Sequence, residues 1–196
     1  RKKYDKEYAL LYLLEKVVNK KLSSENLEDE LKHILQKRDN IVTDRFHQLI
    51  EKGAFLDLEK HLSKDELFQK ISNTCCRNIG VKPPDLLRFL RQREEESSTA
   101  LTPFLAIPHI IVDGEGVFQM FVIRAKKGVK FTDRFDSVKA VFVLIGSRDE
   151  RQFHLQALSA IAQITHNEQF EKRWLSAKSI QNLKDVILLS ERRRQD

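Results

Sequence analysis

One stretch, "VKAVFVLIG" from Val138 to Gly146, is apolar at almost every position. A strand with one face in water alternates apolar and polar residues. A run this continuous reads as a central strand covered on both faces, so the chain must supply packing layers on either side of a sheet. The segments around it fit. Upstream, "AIPHIIV" meets "VFQMFVIRAK" across "DGEG", which is a hairpin signal. Downstream, Asp149 and Glu150 open a helix with Phe153, Leu155, Leu158, Ile161, Ala162 and Ile164 available for burial. A short helix is expected around Phe170 to Leu175. Ser179 caps a last one with Leu183, Val186, Ile187 and Leu188 inward.

Helices also precede the strands. In "LSKDELF", Ser63 and Glu66 have capping-box spacing, and the helix they start is expected to reach about Arg77. In "GVKPPDLLRFLRQRE", Pro84 suits a first turn and Asp85 favours the positive end of the dipole, with Leu86, Leu87 and Leu90 as the apolar face. Helices, then strands, then helices describe a mixed α/β domain built on one sheet, in two or three layers.

Residues 1–53 read as a helical extension or linker, with the main domain at 54–196. "EYALLYLLEKVV" is apolar over a wide face, and Leu27, Leu31, Ile34 and Leu35 form an amphipathic stripe. Thr43 can cap a third helix carrying Phe46, Leu49 and Ile50 and ended by Gly53. Three apolar faces must bury against something, and a homodimer through these N-terminal helices is one expectation. The chain begins at Arg1 with "RKK", which suits a cytoplasmic flank after a membrane helix. A cytosolic module of a membrane transporter is therefore expected.

The charge balance argues against a nucleic-acid role. Lys and Arg exceed Asp and Glu by six, but the excess clusters at the two ends and no aromatic-basic stripe accompanies it. Cys75 and Cys76 are adjacent, so they form neither a CxxC pair nor a loop-closing framework, as in a reducing compartment. No signal peptide appears, and a cytoplasmic location is expected. No Gly-rich phosphate loop, GxSxG elbow or metal-ligand spacing occurs, so neither cofactor nor metal is expected.

Histidine chemistry remains. His33, His47 and His61 lie in charged helical surroundings and read as surface residues. His109 follows Pro108, whose fixed φ can present it rigidly at a strand start. His154 lies in the first turns of the helix opened by Asp149, whose positive end could favour an anion. These residues alone leave His109 open between a nucleophile and a polar strand end.

The segment "LRQREEESSTALTPFLAIPH" resembles the active-site segment of the mannitol/fructose-type IIA domains of the bacterial phosphotransferase system, a family that includes the nitrogen-regulatory IIA proteins. Its members show an Arg-Glu pair, then Thr-Gly-x-Gly-x-Gly, then Ala-x-Pro-His. Here the pair falls on Arg93 and Glu94, the threonine on Thr99, and Ala-Ile-Pro-His on Ala106 to His109. Arg93 and His109 keep the family's interval of sixteen. The resemblance covers about Ala54 to Leu189 and implies a central mixed sheet flanked by helices.

It implies a regulatory or phosphocarrier domain. His109 would accept a phosphoryl group from a histidine phosphocarrier protein and pass it to a IIB partner. Arg93 would hold the charge, and His154 would fix the tautomer or contact the phosphoryl group. Where the family has glycines, this chain has Ala100, Thr102 and Phe104. These residues restrict the loop and add bulk. The alternative they imply is a non-catalytic binding module that reuses the fold, with phosphoryl transfer abolished.

Overall fold

The computed structural model describes residues 43–75 and 79–192. Helix α1 (Arg45–Lys52) leads into strands β1 (Ala54–Leu58) and β2 (Leu62–Ser63), then helices α2 (Lys64–Cys75) and α3 (Pro83–Glu96). Strands β3 (Leu105–Ala106), β4 (His109–Val112), β5 (Phe118–Lys130) and β6 (Val138–Ser147) follow. A 3₁₀ turn (Arg148–Glu150) then leads to α4 (Arg151–Thr165), α5 (Phe170–Ser176) and α6 (Ile180–Leu188).

The strands form one mixed sheet in the order β1-β5-β6-β3, with β2 beside β5 and β4 beside β6. Strand β6 is central, as its composition predicts. Its residues alternate between two cores. Ala140, Phe142 and Leu144 pack with α1, α4, α5 and α6, while Val141, Val143 and Ile145 pack with α2 and α3. Helices therefore cover both faces, and the period of 2 persists inside a run with no polar side to reveal it.

The expected hairpin is not formed. Strand β4 runs parallel to β6, from His109 opposite Leu144 to Val112 opposite Ser147. Strand β5 runs antiparallel along the other edge of β6. A buried strand must satisfy N–H and C=O groups on both edges, so β6 inserts between the two segments expected to pair. The "DGEG" connection crosses the end of β6 and is tied to it. Val117 N–H donates to Ser147 Oγ at 3.0 Å, and Ser147 N–H returns to the Val117 carbonyl at 2.8 Å.

Local signals hold elsewhere. Ser63 and Glu66 form the capping box, with Ser63 N–H donating to the Glu66 carboxylate at 2.7 Å. Ser179 caps α6 by accepting from Asn182 N–H. The cap of α1 is Asp44 rather than Thr43, because the Asp44 carboxylate accepts from His47 N–H at 2.8 Å. Asp44 also pairs with Arg192 at 2.6 Å in a buried setting. Helix α1 precedes residue 54, yet Phe46 and Ile50 lie in the sheet's core.

His47 is buried rather than exposed, because α1 turns its Phe46–Ile50 side onto that core and carries the imidazole with it. Burial depresses its protonation, partly offset by Glu51 3.4 Å away. His61 is exposed as expected. His33, the N-terminal stripe and its expected dimer lie outside the described residues. Among the described residues, no helix is long and apolar enough to cross a membrane.

Candidate active site around His109

Helix α3 ends beside the start of β4. The Pro108 carbonyl accepts from Leu144 N–H at 2.9 Å, fixing the segment against β6 so that half-buried His109 projects from the first residue of β4. His109 Nδ1 lies 2.9 Å from the Ile107 carbonyl oxygen. A carbonyl only accepts, so Nδ1 carries the proton. The lone pair is then on Nε2, where a guanidinium nitrogen of Arg93 sits at 3.2 Å. Guanidinium only donates, so both neighbours select the same tautomer.

Arg93 occupies the last turn of α3, where the negative end of the dipole favours a cation. Its other terminal nitrogen donates to the Ser97 carbonyl at 3.0 Å, which aims the fork at His109. The next residue, Glu94, points inward and is 5% exposed. Its carboxylate accepts from Thr99 N–H at 2.9 Å, Thr99 Oγ1 at 2.6 Å and Ser98 Oγ at 3.0 Å. The Arg-Glu pair therefore splits its work: Arg93 faces His109 Nε2, and Glu94 anchors the loop leading to β3.

His154 lies on α4 with its ring edge-on to that of His109, 5.8 Å between centroids. It is 5% exposed, and neither ring nitrogen has a hydrogen-bond partner. Burial, reinforced by the nearby His109, lowers its pKa to about 4. It is neutral at pH 7. Gly146 on β6 makes room for it, because a Cβ there would lie 3.2 Å from His154 Nδ1 and 3.0 Å from the Phe118 ring. In the sequence, Gly146 marks only the end of the apolar strand.

His109, Arg93 and His154 thus come together. Two hollows meet at His109 and Ile111. One, of about 350 Å³, adds Phe89, Gln92, Arg93, Glu96 and Ile110. The other, of about 630 Å³, adds Arg148, Arg151, His154, Leu155 and Leu158. Leu155 is among the helix residues available for burial in the sequence. The structure leaves it 59% exposed in the second hollow.

The substituted loop lies elsewhere. The Phe104 carbonyl accepts from Ala140 N–H, four positions along β6 from the partner of His109, or roughly 13 Å. Thr102 Oγ1 accepts from the N–H groups of Phe104 and Leu105, closing a tight turn. The Phe104 ring packs edge-on against Phe170. None of Ala100, Thr102 and Phe104 lines either hollow at His109, so the expected obstruction there does not arise.

Residues 48–189 match the family model described as phosphoenolpyruvate-dependent sugar phosphotransferase system, EIIA 2. The chain belongs to this family. The IIA domain is 32% identical over 124 residues to the mannitol-specific phosphotransferase enzyme IIA component of Bacillus subtilis, an alignment covering 62% of this chain and 83% of that protein. Its fold is shared with the nitrogen regulatory protein IIA-Ntr of Neisseria meningitidis, with a TM-score of 0.64 and 23% identity over 72% of this chain and 97% of that one. It is shared too with the Escherichia coli mannitol enzyme IIA solved in complex with phosphorylated enzyme IIB, with a TM-score of 0.57, 17% identity, and coverage of 68% and 92%. Family membership does not favour a non-catalytic module.

Proposed function

We propose that this IIA domain carries a phosphoryl group on Nε2 of His109, received from a histidine phosphocarrier protein and passed to a IIB partner. The observation that carries this reading is the paired geometry at the ring: Nδ1–H held by the Ile107 carbonyl, and the Nε2 lone pair facing Arg93. Nε2 needs no base, because its proton is already on the other nitrogen.

In the transfer, the Nε2 lone pair forms the new N–P bond while the donor's P–N bond breaks. The released electron pair returns to the donor imidazole. Positive charge grows on the His109 ring as the bond forms, and the Ile107 carbonyl stabilises it by accepting Nδ1–H. The incoming oxygens take the Arg93 donor now at Nε2, making charge-assisted hydrogen bonds. Neutral His154 has an unmatched N–H to offer one of those oxygens. Positioning and electrostatics supply most of the catalysis in such a step.

The test is incubation with labelled phosphoenolpyruvate and the general phosphotransferase proteins. Acid-labile label on the wild type, absent from His109→Ala, supports the reading. An unlabelled wild type, with the donor proteins shown to be charged, removes it.

A further inference from the structure

We infer that the larger hollow beside His109 docks a phosphoryl-exchange partner whose contact face is an apolar projection bordered by carboxylates, selected by Arg148 and Arg151. This deepens the phosphocarrier reading and rests on it.

Arg151, Leu155 and Leu158 fall at i, i+4 and i+7, one stripe along α4, and Ile111 faces them from β4. Leu155 is 59% exposed and Ile111 47%. An apolar floor of this kind, beside the reactive nitrogen, is built to be covered by a partner.

The arginines are placed against their own local electrostatics. Both sit at the N-terminal end of α4, where the dipole is positive and cations are disfavoured. The two carboxylates between them are committed elsewhere. Asp149 accepts from Gly116 N–H at 2.7 Å, and Glu150 takes both terminal nitrogens of Arg45 at 2.8 Å. Arg45, Arg88, Arg91, Arg124 and Arg192 each pair with a carboxylate. Among the described residues, neither Arg148 nor Arg151 does. Two exposed, unneutralised guanidinium groups flanking an apolar floor complement a carboxylate rim.

The phosphoryl group itself is the less fitting occupant. It would bond to Nε2, where Arg93 already waits at 3.2 Å, and Arg93 opens into the other hollow. Ile111, Leu155 and Leu158 offer a phosphoryl group no donor, so beyond the His154 N–H this apolar part of the hollow is left for a partner's apolar surface.

The probe is a histidine phosphocarrier protein in two versions. Residues ringing its active histidine are acidic in one and basic in the other, and both are phosphorylated chemically with phosphoramidate. Initial transfer rates are measured to wild type, R148E/R151E, R148K/R151K and His109→Ala. At low salt the acidic version is expected to label the wild type at least about 10-fold faster than the basic one, with the gap closing at high salt. R148E/R151E should invert that preference and R148K/R151K keep it. Equal rates from both versions, faster transfer from the basic one, or the same preference in R148E/R151E as in wild type overturns the inference alone. A wild type that neither version labels, or a labelled His109→Ala, removes the phosphocarrier reading and this inference with it.

Discussion

His154 offers a quantitative test of the site's electrostatics. Its ring is buried with both nitrogens unpartnered, and it titrates at about 4 rather than the ordinary 6.5. That gap corresponds to about 3 kcal/mol against placing a proton on the folded protein. The unfolded chain pays no such penalty. It takes up a proton as pH falls through about 6.5, while the folded protein does so only near 4. His154 therefore costs nothing above pH 6.5, destabilises progressively between 6.5 and 4, and levels off below. His154→Phe keeps an aromatic ring against Phe118 and removes the titration. Urea unfolding at pH 7.5 and pH 5 should show the wild type losing about 2 kcal/mol more than the variant. His47, also depressed by burial, contributes with the same sign in both proteins and cancels in the difference. Parallel stability curves across this range would show that the ring is solvated and that the argument from burial fails. A dianion on His109 reverses the local field, so phosphorylation should raise the His154 titration, followed by ring-nitrogen NMR.

Arg93→Ala should slow labelling of His109 about 100-fold, and Arg93→Lys should recover only part, since one ammonium cannot reach both Ser97 and His109 in a fork. Arg124 is 1% exposed and is held by Asp57 and by the carbonyls of Trp174 and Ala177, so Asp57→Asn should cost about 3 kcal/mol in urea unfolding by stranding a buried cation. The Arg124 guanidinium also holds the Asp57 carboxyl below its usual range. Its stabilisation is present above about pH 3.8 and lost as pH falls through the lower folded value, which an acid titration monitored by circular dichroism would show. Gly128→Ala should destabilise by about 2 kcal/mol in thermal unfolding, because φ is +84° there and a Cβ would lie 2.7 Å from Ser137 Cα.

Local chemistry was readable from the sequence wherever a rule links neighbours in the chain. The capping box at Ser63 and Glu66 works through adjacent N–H groups, so spacing alone reports it. The interval from Arg93 to His109 was readable as a family pattern. Its physical content, a shared tautomer choice with Ile107, needed coordinates, because a carbonyl two residues back leaves no compositional mark. Gly146 escaped notice for a similar reason. Its role is space for a ring that arrives from α4, eight positions later.

Two misplacements share one cause. Composition reports that a surface will be covered but not by what. The β4 and β5 segments were apolar and joined by a turn signal, yet β6 takes an edge of each, and β5 gives its other edge to β1 and β2. Leu155 belongs to an apolar helical pattern that predicts burial, and the fold leaves it open beside His109. An apolar residue that the domain's own core does not claim, next to His109 and two arginines without carboxylate partners among the described residues, keeps its hydrophobic demand for another molecule. The same apolar pattern that predicts burial of Leu155 therefore bears on the docking surface proposed above.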